Sequence, residues 1–368
     1  RSLAYFESVH DTVNIYRILS SRGLLNLAQD KLNSAESDFK SALELGGTDK
    51  NLRAPAINSL GLLAYRRGTY GEAHEYYNQA LTDFGTGIRT NEKAVILNNL
   101  GTILKAYGDT VSARIHYEKA LKLTEQVDNL NFKSQCLNNL GNYHSSLKEY
   151  EKALDLLNLS LEIKSKIKDR KGIVATLTNI AYVFQDQGEK EKARLFFLKA
   201  KEKAEKLGYL YYESEILKGM GELEYEQGNV AYALEIFEEG IALAERAGNS
   251  HLASQFYHGM GKCYHDLREY LKGARYYNKA IKNIESIRKG IGIEEHRSSF
   301  MASALDIYRD MIDIQIQIGN DETAYEIYER MKARNLLDIL DGAFLIFEDE
   351  MSGEEIEKER LMEDRLRK

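Results

Sequence analysis

Apolar and small residues recur along this chain at helical spacing, and the pattern then repeats on a longer scale. The stretch from Ala94 to Ala120, AVILNNLGTILKAYGDTVSARIHYEKA, sets the frame. From the anchor Leu100-Gly101, Ala113 follows at twelve residues, Tyr117 at sixteen and Ala120 at nineteen. The same frame fits Gly61 with Ala73, Tyr77 and Ala80, and Gly141 with Ala153, Leu157 and Ser160. It fits Ala181 with Ala193, Phe197 and Ala200, Gly221 with Ala233, Phe237 and Gly240, and Gly261 with Gly273, Tyr277 and Ala280. Successive anchors are spaced by 40 residues, a degenerate copy begins at Gly23, and a displaced one ends in Ala324 and Tyr328. Small residues on one helical face let two helices approach, and a bulky residue on the next turn fills the space beside them. Each unit is therefore a helical hairpin that buries its apolar face only by stacking on its neighbours.

The small–apolar–small spacing resembles the tetratricopeptide repeat. That resemblance covers nearly the whole chain and implies an all-α, right-handed superhelical solenoid of about seven to eight hairpins. The period of 40 exceeds the family's usual ~34 residues, so longer helices are expected. The family's Trp position holds Ile57, Leu97, Leu137, Leu177, Leu217 and Tyr257, and its closing Pro is missing. Within each unit Gly68, Gly108, Lys148, Gly188, Gly228 or Arg268 marks the hairpin turn, where a left-handed residue ends a helix. Polar pairs such as Asp128-Asn129, Lys168-Asp169 and Gly248-Asn249 separate the units.

This frame divides the chain into N-terminal helices with the first degenerate repeat (1–52), six regular units (53–287), a displaced long hairpin (288–341) and a charged linker helix (342–368). Arg1 to Leu32 reads as helical, with Ser34 to Leu45 returning. The period breaks at Arg288, where about eleven extra residues around RKGIGIEEHRSSF predict a longer helix from Arg297 to Ile318. GND (319–321) then turns into a helix from Glu322 to about Leu340, followed by AFLIF and a charged helix from Glu354 to Lys368. The first residue is not Met, so we expect a piece of a longer protein or a processed product.

Composition narrows the function classes. A single Pro among 368 residues suits long helices. A net charge of −7 without a basic stripe argues against direct nucleic-acid binding. The cysteines Cys136 and Cys263 give no disulfide framework, which suits a cytoplasmic setting. No apolar run approaches the ~20 residues that span a bilayer, so no membrane is implied. Gly219, Gly221, Gly259 and Gly261 lie within helices, not in a phosphate loop.

The C-terminal run through Arg297, Phe300, Tyr308, Gly319 and Ala324 into ERMKARNLLDIL (329–340) resembles the segment that joins repeat arrays to CHAT domains, a caspase-like cysteine-peptidase family. The resemblance implies a peptidase beginning beyond Lys368, with Arg297, Glu329, Arg330, Arg334 and Leu337 relaying events from the array. Repeat-bearing members include the peptidase subunit paired with the RNA-guided effector of type III-E CRISPR systems, which implies a ribonucleoprotein contacted through protein. The chain itself carries no catalytic His/Cys pair and is expected to be non-enzymatic. A stand-alone scaffold, similar to kinesin light chain arrays, is the alternative. A peptide-pheromone receptor is a third class, with too little chain before the repeats for the module it usually carries.

The candidate groove follows from the leading helices. Asn58, Asn98, Asn99, Asn138, Asn139, Asn142 and Asn179 stand on one face, where amides that both donate and accept suit an extended peptide backbone. Lys105, Gln135, Tyr182, Gln185, Glu215, Glu222 and Tyr225 are interleaved and would set specificity. The competing reading is that Asn merely tolerates a solvated concave face or bonds to the neighbouring unit. His258, Lys262 and His265 share a face, but without a third ligand they read as exposed groove residues rather than a metal site. Cys136 and Cys263 read as core, not nucleophiles. Most tyrosines read as packing residues. No cofactor is expected, and the partner is a protein or peptide.

Overall fold

The protein is described by a computed structural model that covers residue 6 and residues 11–29, 31–84, 90–125, 129–292 and 294–332. Its described elements are helices. They are α1 (Thr12–Ala28), α2 (Leu32–Gly46), α3 (Lys50–Arg67), α4 (Tyr70–Phe84), α5 (Thr90–Ala106), α6 (Thr110–Glu125), α7 (Leu130–Ser146) and α8 (Tyr150–Lys166). Then follow α9 (Arg170–Asp186), α10 (Lys190–Leu207), α11 (Leu210–Glu226), α12 (Val230–Arg246), α13 (Ser250–Asp266), α14 (Tyr270–Lys289), α15 (Glu294–Ile318) and a last helix, α16, at 321–332. Odd-numbered helices lead each hairpin and even-numbered ones return.

The repeat frame has a direct steric cause. A Cβ on Gly61 would sit 2.6 Å from the Tyr77 ring, on Gly101 2.7 Å from Tyr117, and on Gly141 2.7 Å from the Leu157 side chain. At Gly221 and Gly261 it would lie 2.3 Å from Phe237 and Tyr277. Each anchor is thus the floor on which the bulky residue sixteen positions later rests. Ala73, Ala113, Ala153, Ala193 and Ala233 are fully buried beside them. Tyr77, Tyr117 and Tyr277 occupy this slot with almost no exposure, so they serve packing.

Every turn residue marked in the sequence adopts the left-handed conformation. Gly68, Gly108, Gly188 and Gly228 have φ between 78° and 88°, and Lys148 and Arg268 adopt φ 61° and 59° at the same register. Between units, Asn129, Asp169 and Asn249 cap the following helix, accepting from the backbone N–H of Phe132, Gly172 and Leu252.

Two expectations need adjustment. The first helix stops at Ala28 rather than reaching Leu32, because the Lys31 N–H turns back to the Asn26 carbonyl at 2.9 Å and closes the end. Residues 1–5 and 7–10 lie outside the described residues. The long helix expected after Arg288 is present as the 25-residue α15. In the displaced unit Ala324 is buried, but Tyr328 is 44% exposed and Ile327 is the buried neighbour. The segment 342–368 lies outside the described residues.

Curvature brings the two ends of the array together. The Arg66 guanidinium lies 4.1 Å from the Tyr211 ring centroid. Asn249 Nδ2 donates to the Arg66 carbonyl at 3.3 Å, a contact across 183 residues. Tyr70 meets His251 edge-on at 5.4 Å, Tyr107 stacks on His296 at 4.7 Å, and His74 lies 5.3 Å from His296. Gly71 abuts the backbone of Gly290 so closely that a Cβ would fall 1.5 Å from its carbonyl oxygen. Tyr70 and Tyr107 share one buried apolar cluster with Ile291 and Phe300, while hairpins between them keep separate cores around Tyr117 and Leu157. The solenoid therefore closes on itself, and its concave face becomes a walled groove.

Candidate functional site

The amides of the leading helices form a continuous ladder. Asn99 Nδ2 donates to Asn58 Oδ1 at 3.1 Å, Asn139 Nδ2 to Asn98 Oδ1 at 2.9 Å, and Asn179 Nδ2 to Asn138 Oδ1 at 3.0 Å. Asn138 Nδ2 reaches Asn139 Oδ1 at 3.4 Å. Each rung joins residues 41 apart, one repeat plus one position, so it ties one unit to the next. Asn98 and Asn138 are buried at 5% and 8% exposure, whereas Asn58, Asn99, Asn139 and Asn179 are half-buried. Much of the amide capacity is spent on register between units.

The ladder forms one wall of a groove cavity of about 900 Å³, within the ~300–1,000 Å³ range of ligand pockets. Asn98, Lys105, Gln135, Asn138, Asn139, Asn142, Asn179 and Tyr182 line it. Tyr65, Arg66, Tyr211, Tyr212 and Glu215 face them across the closed superhelix, with Lys164, Asp169 and Lys171 at one side. Tyr182 Oη donates to the Glu215 carbonyl at 3.1 Å. The enclosing walls desolvate the Lys105 ammonium and lower its pKa, with Lys218 adding repulsion and Glu215 opposing. Burial raises Tyr65, Tyr70 and Tyr211, so these phenols stay neutral donors. The result is a neutral, amide- and phenol-rich surface set with cations.

Comparison with known proteins bears on this geometry. A Tetratricopeptide repeat family profile matches residues 92–166 and 134–206, and a second one residues 254–287. No curated protein sequence matches the chain. Among solved structures, a Rap protein complexed with competence and sporulation factor superposes with TM-score 0.61 at 17% identity, covering 86% of this chain and 84% of that one. The fold is an all-α solenoid with tetratricopeptide-like repeats. NprR in complex with its cognate peptide NprX aligns with TM-score 0.54 at 13% identity, over 83% of this chain and 88% of that one. A signal-transduction ATPase with a tetratricopeptide repeat sensor from Pyrococcus horikoshii aligns with TM-score 0.51 at 17% identity, over 91% and 54%. These likenesses establish the fold of the solenoid.

Other residues marked in the sequence fall elsewhere on this solenoid. Asn58 and Asn99 sit on the ladder outside the large cavity lining, and Gln185 bonds outward to Glu226 at 3.2 Å. Glu222 and Tyr225 line a separate cavity of about 360 Å³ with His251, His258 and Lys262. Burial raises the Glu222 carboxyl, with Lys218 opposing. His258 and His265 are partly enclosed rather than fully exposed: they pair with Asp310 at 2.7 Å and Asp313 at 3.0 Å, fastening α15 to α13. Among the described residues no group of three or more His, Cys, Asp or Glu is placed to hold a metal. Burial pushes both thiols, Cys136 and Cys263, up to about 12, so neither is a nucleophile at neutral pH. Arg297 is half-buried, Glu329 half-buried and Arg330 exposed; Arg334 and Leu337 lie outside the described residues. Among the described residues no helix is long and apolar enough to cross a membrane.

Sequence reading missed Tyr65, Arg66, Tyr211 and Tyr212, which reach the groove only through closure. It also missed Lys164, whose signal was present: it breaks a column of buried small or apolar residues.

Proposed function

We propose that this solenoid is a protein-interaction module whose closed groove takes a short, extended peptide segment. The observation that carries the reading is the 900 Å³ cavity walled by amides, phenols and cations from leading helices of successive hairpins. Amides and hydroxyls address a peptide backbone without demanding a sequence, and the enclosed setting strengthens each bond. The peptide bound to NprR and the factor bound to the Rap protein support the same reading. Groove specificity is assigned to Lys105, Gln135, Asn142 and Tyr182; Glu222 and Tyr225 serve the neighbouring cavity.

The test is capture of short random peptides by the immobilised chain and by Ala175→Trp. Ala175 lines the groove and is half-buried, so the indole fills the groove without entering the repeat core. Loss of capture supports the reading, and unchanged capture overturns it.

A second layer of the proposal is regulatory. The array, acting in the cytoplasm, passes peptide binding through residues 288–341 to a CHAT-type peptidase beyond Lys368, in RNA-guided defence. The motif at 329–340 and the long α15 motivate it. A full-length protein whose peptidase activity is unchanged by deleting residues 1–285 removes this layer and leaves the groove reading standing. If no peptidase follows, the array is a stand-alone scaffold.

A further inference from the structure

The outer face of α14 carries one sign of charge. Lys272, Arg275, Lys279, Lys282 and Lys289 are all exposed, at spacings of three, four, three and seven residues. That spacing sets them in one row along the helix, with Ser286 as its neutral gap. The acid within α14, Glu285, is half-buried and accepts from the Tyr308 hydroxyl. Forty residues earlier the first four positions of the row hold Tyr232, Glu235, Glu239 and Ala242, and eighty earlier Lys192, Leu195, Lys199 and Glu202. Repeat packing therefore does not ask for cations there, and like charges three and four residues apart destabilise a helix. Lys272 pairs with Glu269, and Lys279 Nζ lies 5.0 Å from the Tyr257 ring centroid and 5.4 Å from that of Tyr276. Among the described residues Arg275, Lys282 and Lys289 have no carboxylate within 4.0 Å.

The row is narrow. Exposed Glu235, Glu238 and Glu239 on α12, and Asp321, Glu322 and Glu326 on α16, stand on the returning helices before and after α14. Their carboxylates hide the row in the overall charge. A broad anionic surface, such as a bilayer or a nucleic-acid duplex, would meet these six carboxylates together with the five cations. A single acidic stretch of polypeptide would meet the cations alone. This chain supplies one: residues 348–357, EDEMSGEEIE, hold six acids and no base, and lie outside the described residues. Burial raises the Tyr308 phenol while Arg288 and Arg330 both oppose it, so α16 ends beside the C-terminal end of α14. Sixteen residues separate 332 from 348 and reach up to roughly 50 Å. The row from Lys272 to Lys289 is about 26 Å long, so every part of it is within reach.

We infer that the cationic row on α14 is the docking surface for this chain's own acidic segment at 348–357. The contact is intramolecular and electrostatic, and it weakens as salt screens the charges. It lies on the outer surface and stands independently of the peptide reading of the groove.

The experiment treats the full chain with a carbodiimide, which joins a lysine to a carboxylate where the two touch, and maps the links by mass spectrometry. The wild-type monomer is expected to link Lys272, Lys279, Lys282 or Lys289 to acids within 348–357. The yield is expected to fall about tenfold between about 0.05 M and about 1 M salt, as the Debye length shrinks from above ~10 Å to ~3 Å. Arg275→Gln with Lys282→Gln and Lys289→Gln, checked for folding by circular dichroism, is expected to lose the links of Lys272 and Lys279 as well. A second variant leaves the array untouched and changes the six acids to their amides. A synthetic copy of 348–357 is expected to bind that variant at least about tenfold more tightly than wild type, whose row is already occupied. Absent links, links from the segment to other lysines, or equal binding of the copy to both chains overturn the inference. Links confined to cross-linked dimers overturn it in favour of a second copy. Wild-type retention on phosphatidylserine vesicles that the triple variant loses overturns it in favour of a membrane.

Discussion

Gly71 isolates the contact that turns an open solenoid into a closed one. A Cβ there would lie 1.5 Å from the Gly290 carbonyl oxygen, where real Cβ atoms keep 3.0 Å or more, so the two backbones must part by at least about 1.5 Å. That movement breaks the 3.3 Å bond from Asn249 to the Arg66 carbonyl and separates Tyr70 from His251. It also draws Arg66 away from Tyr211. Taking ~1 kcal/mol for the hydrogen bond, about 2 for the desolvated cation–π contact and about 1 for the Tyr70–His251 pair, these contacts contribute roughly 4 kcal/mol. Ala is a better helix former than Gly by about 1 kcal/mol, so within α4 the substitution is favourable. The gain does not offset the seam, so the expected result of Gly71→Ala is a chain that still folds, melts earlier than wild type at its two ends, and has a larger radius of gyration by X-ray scattering. Faster hydrogen exchange is expected at 66–75 and 249–251. A scattering profile that superposes on wild type refutes the closed-ring argument.

Gly221→Ala tests the repeat packing instead, because its Cβ would fall 2.3 Å from the Phe237 ring; thermal unfolding should show a loss of about 1–3 kcal/mol, and an unchanged midpoint contradicts the anchor role. Lys148→Gly relieves a left-handed residue at φ 61° and should stabilise by about 1 kcal/mol in urea unfolding; destabilisation contradicts the turn assignment. Burial lowers His74 to about 4, with His296 and His116 adding to it, and lowers His251 to about 4, with Lys218 adding to it. Both sit at the seam neutral, so their contribution is complete above the ordinary value of 6.5 and is lost as pH falls from there towards 4. The loss is roughly 1–2 kcal/mol per group after allowance for partial exposure. Scattering should detect the array opening across that window, less so in His74→Phe with His251→Phe; a wild-type profile constant over that range contradicts it.

The hairpins were readable because their packing is local and repeated. Gly101 and Tyr117 are sixteen residues apart, and the same pair recurs every 40 residues. Closure was not readable, since Arg66 meets Tyr211 only after small rotations have accumulated over several units. The asparagines were found by position, but their role was half hidden. A side chain at Asn138 faces both the groove and the next unit, and periodicity alone does not show that Asn179 and Thr176 already occupy its oxygen. Lys164 was legible as an exception to its column, yet its weight came from the burial that the folded array imposes.

The central claim is that the concave, closed groove is where a peptide binds. Hydrogen–deuterium exchange of the full chain, with and without a peptide enriched from the random pools, tests it most directly. The account predicts protection along α5, α7, α9 and α11 and around Lys164–Gly172. Protection confined to the returning helices α6, α10 and α12, on the outer surface, contradicts it.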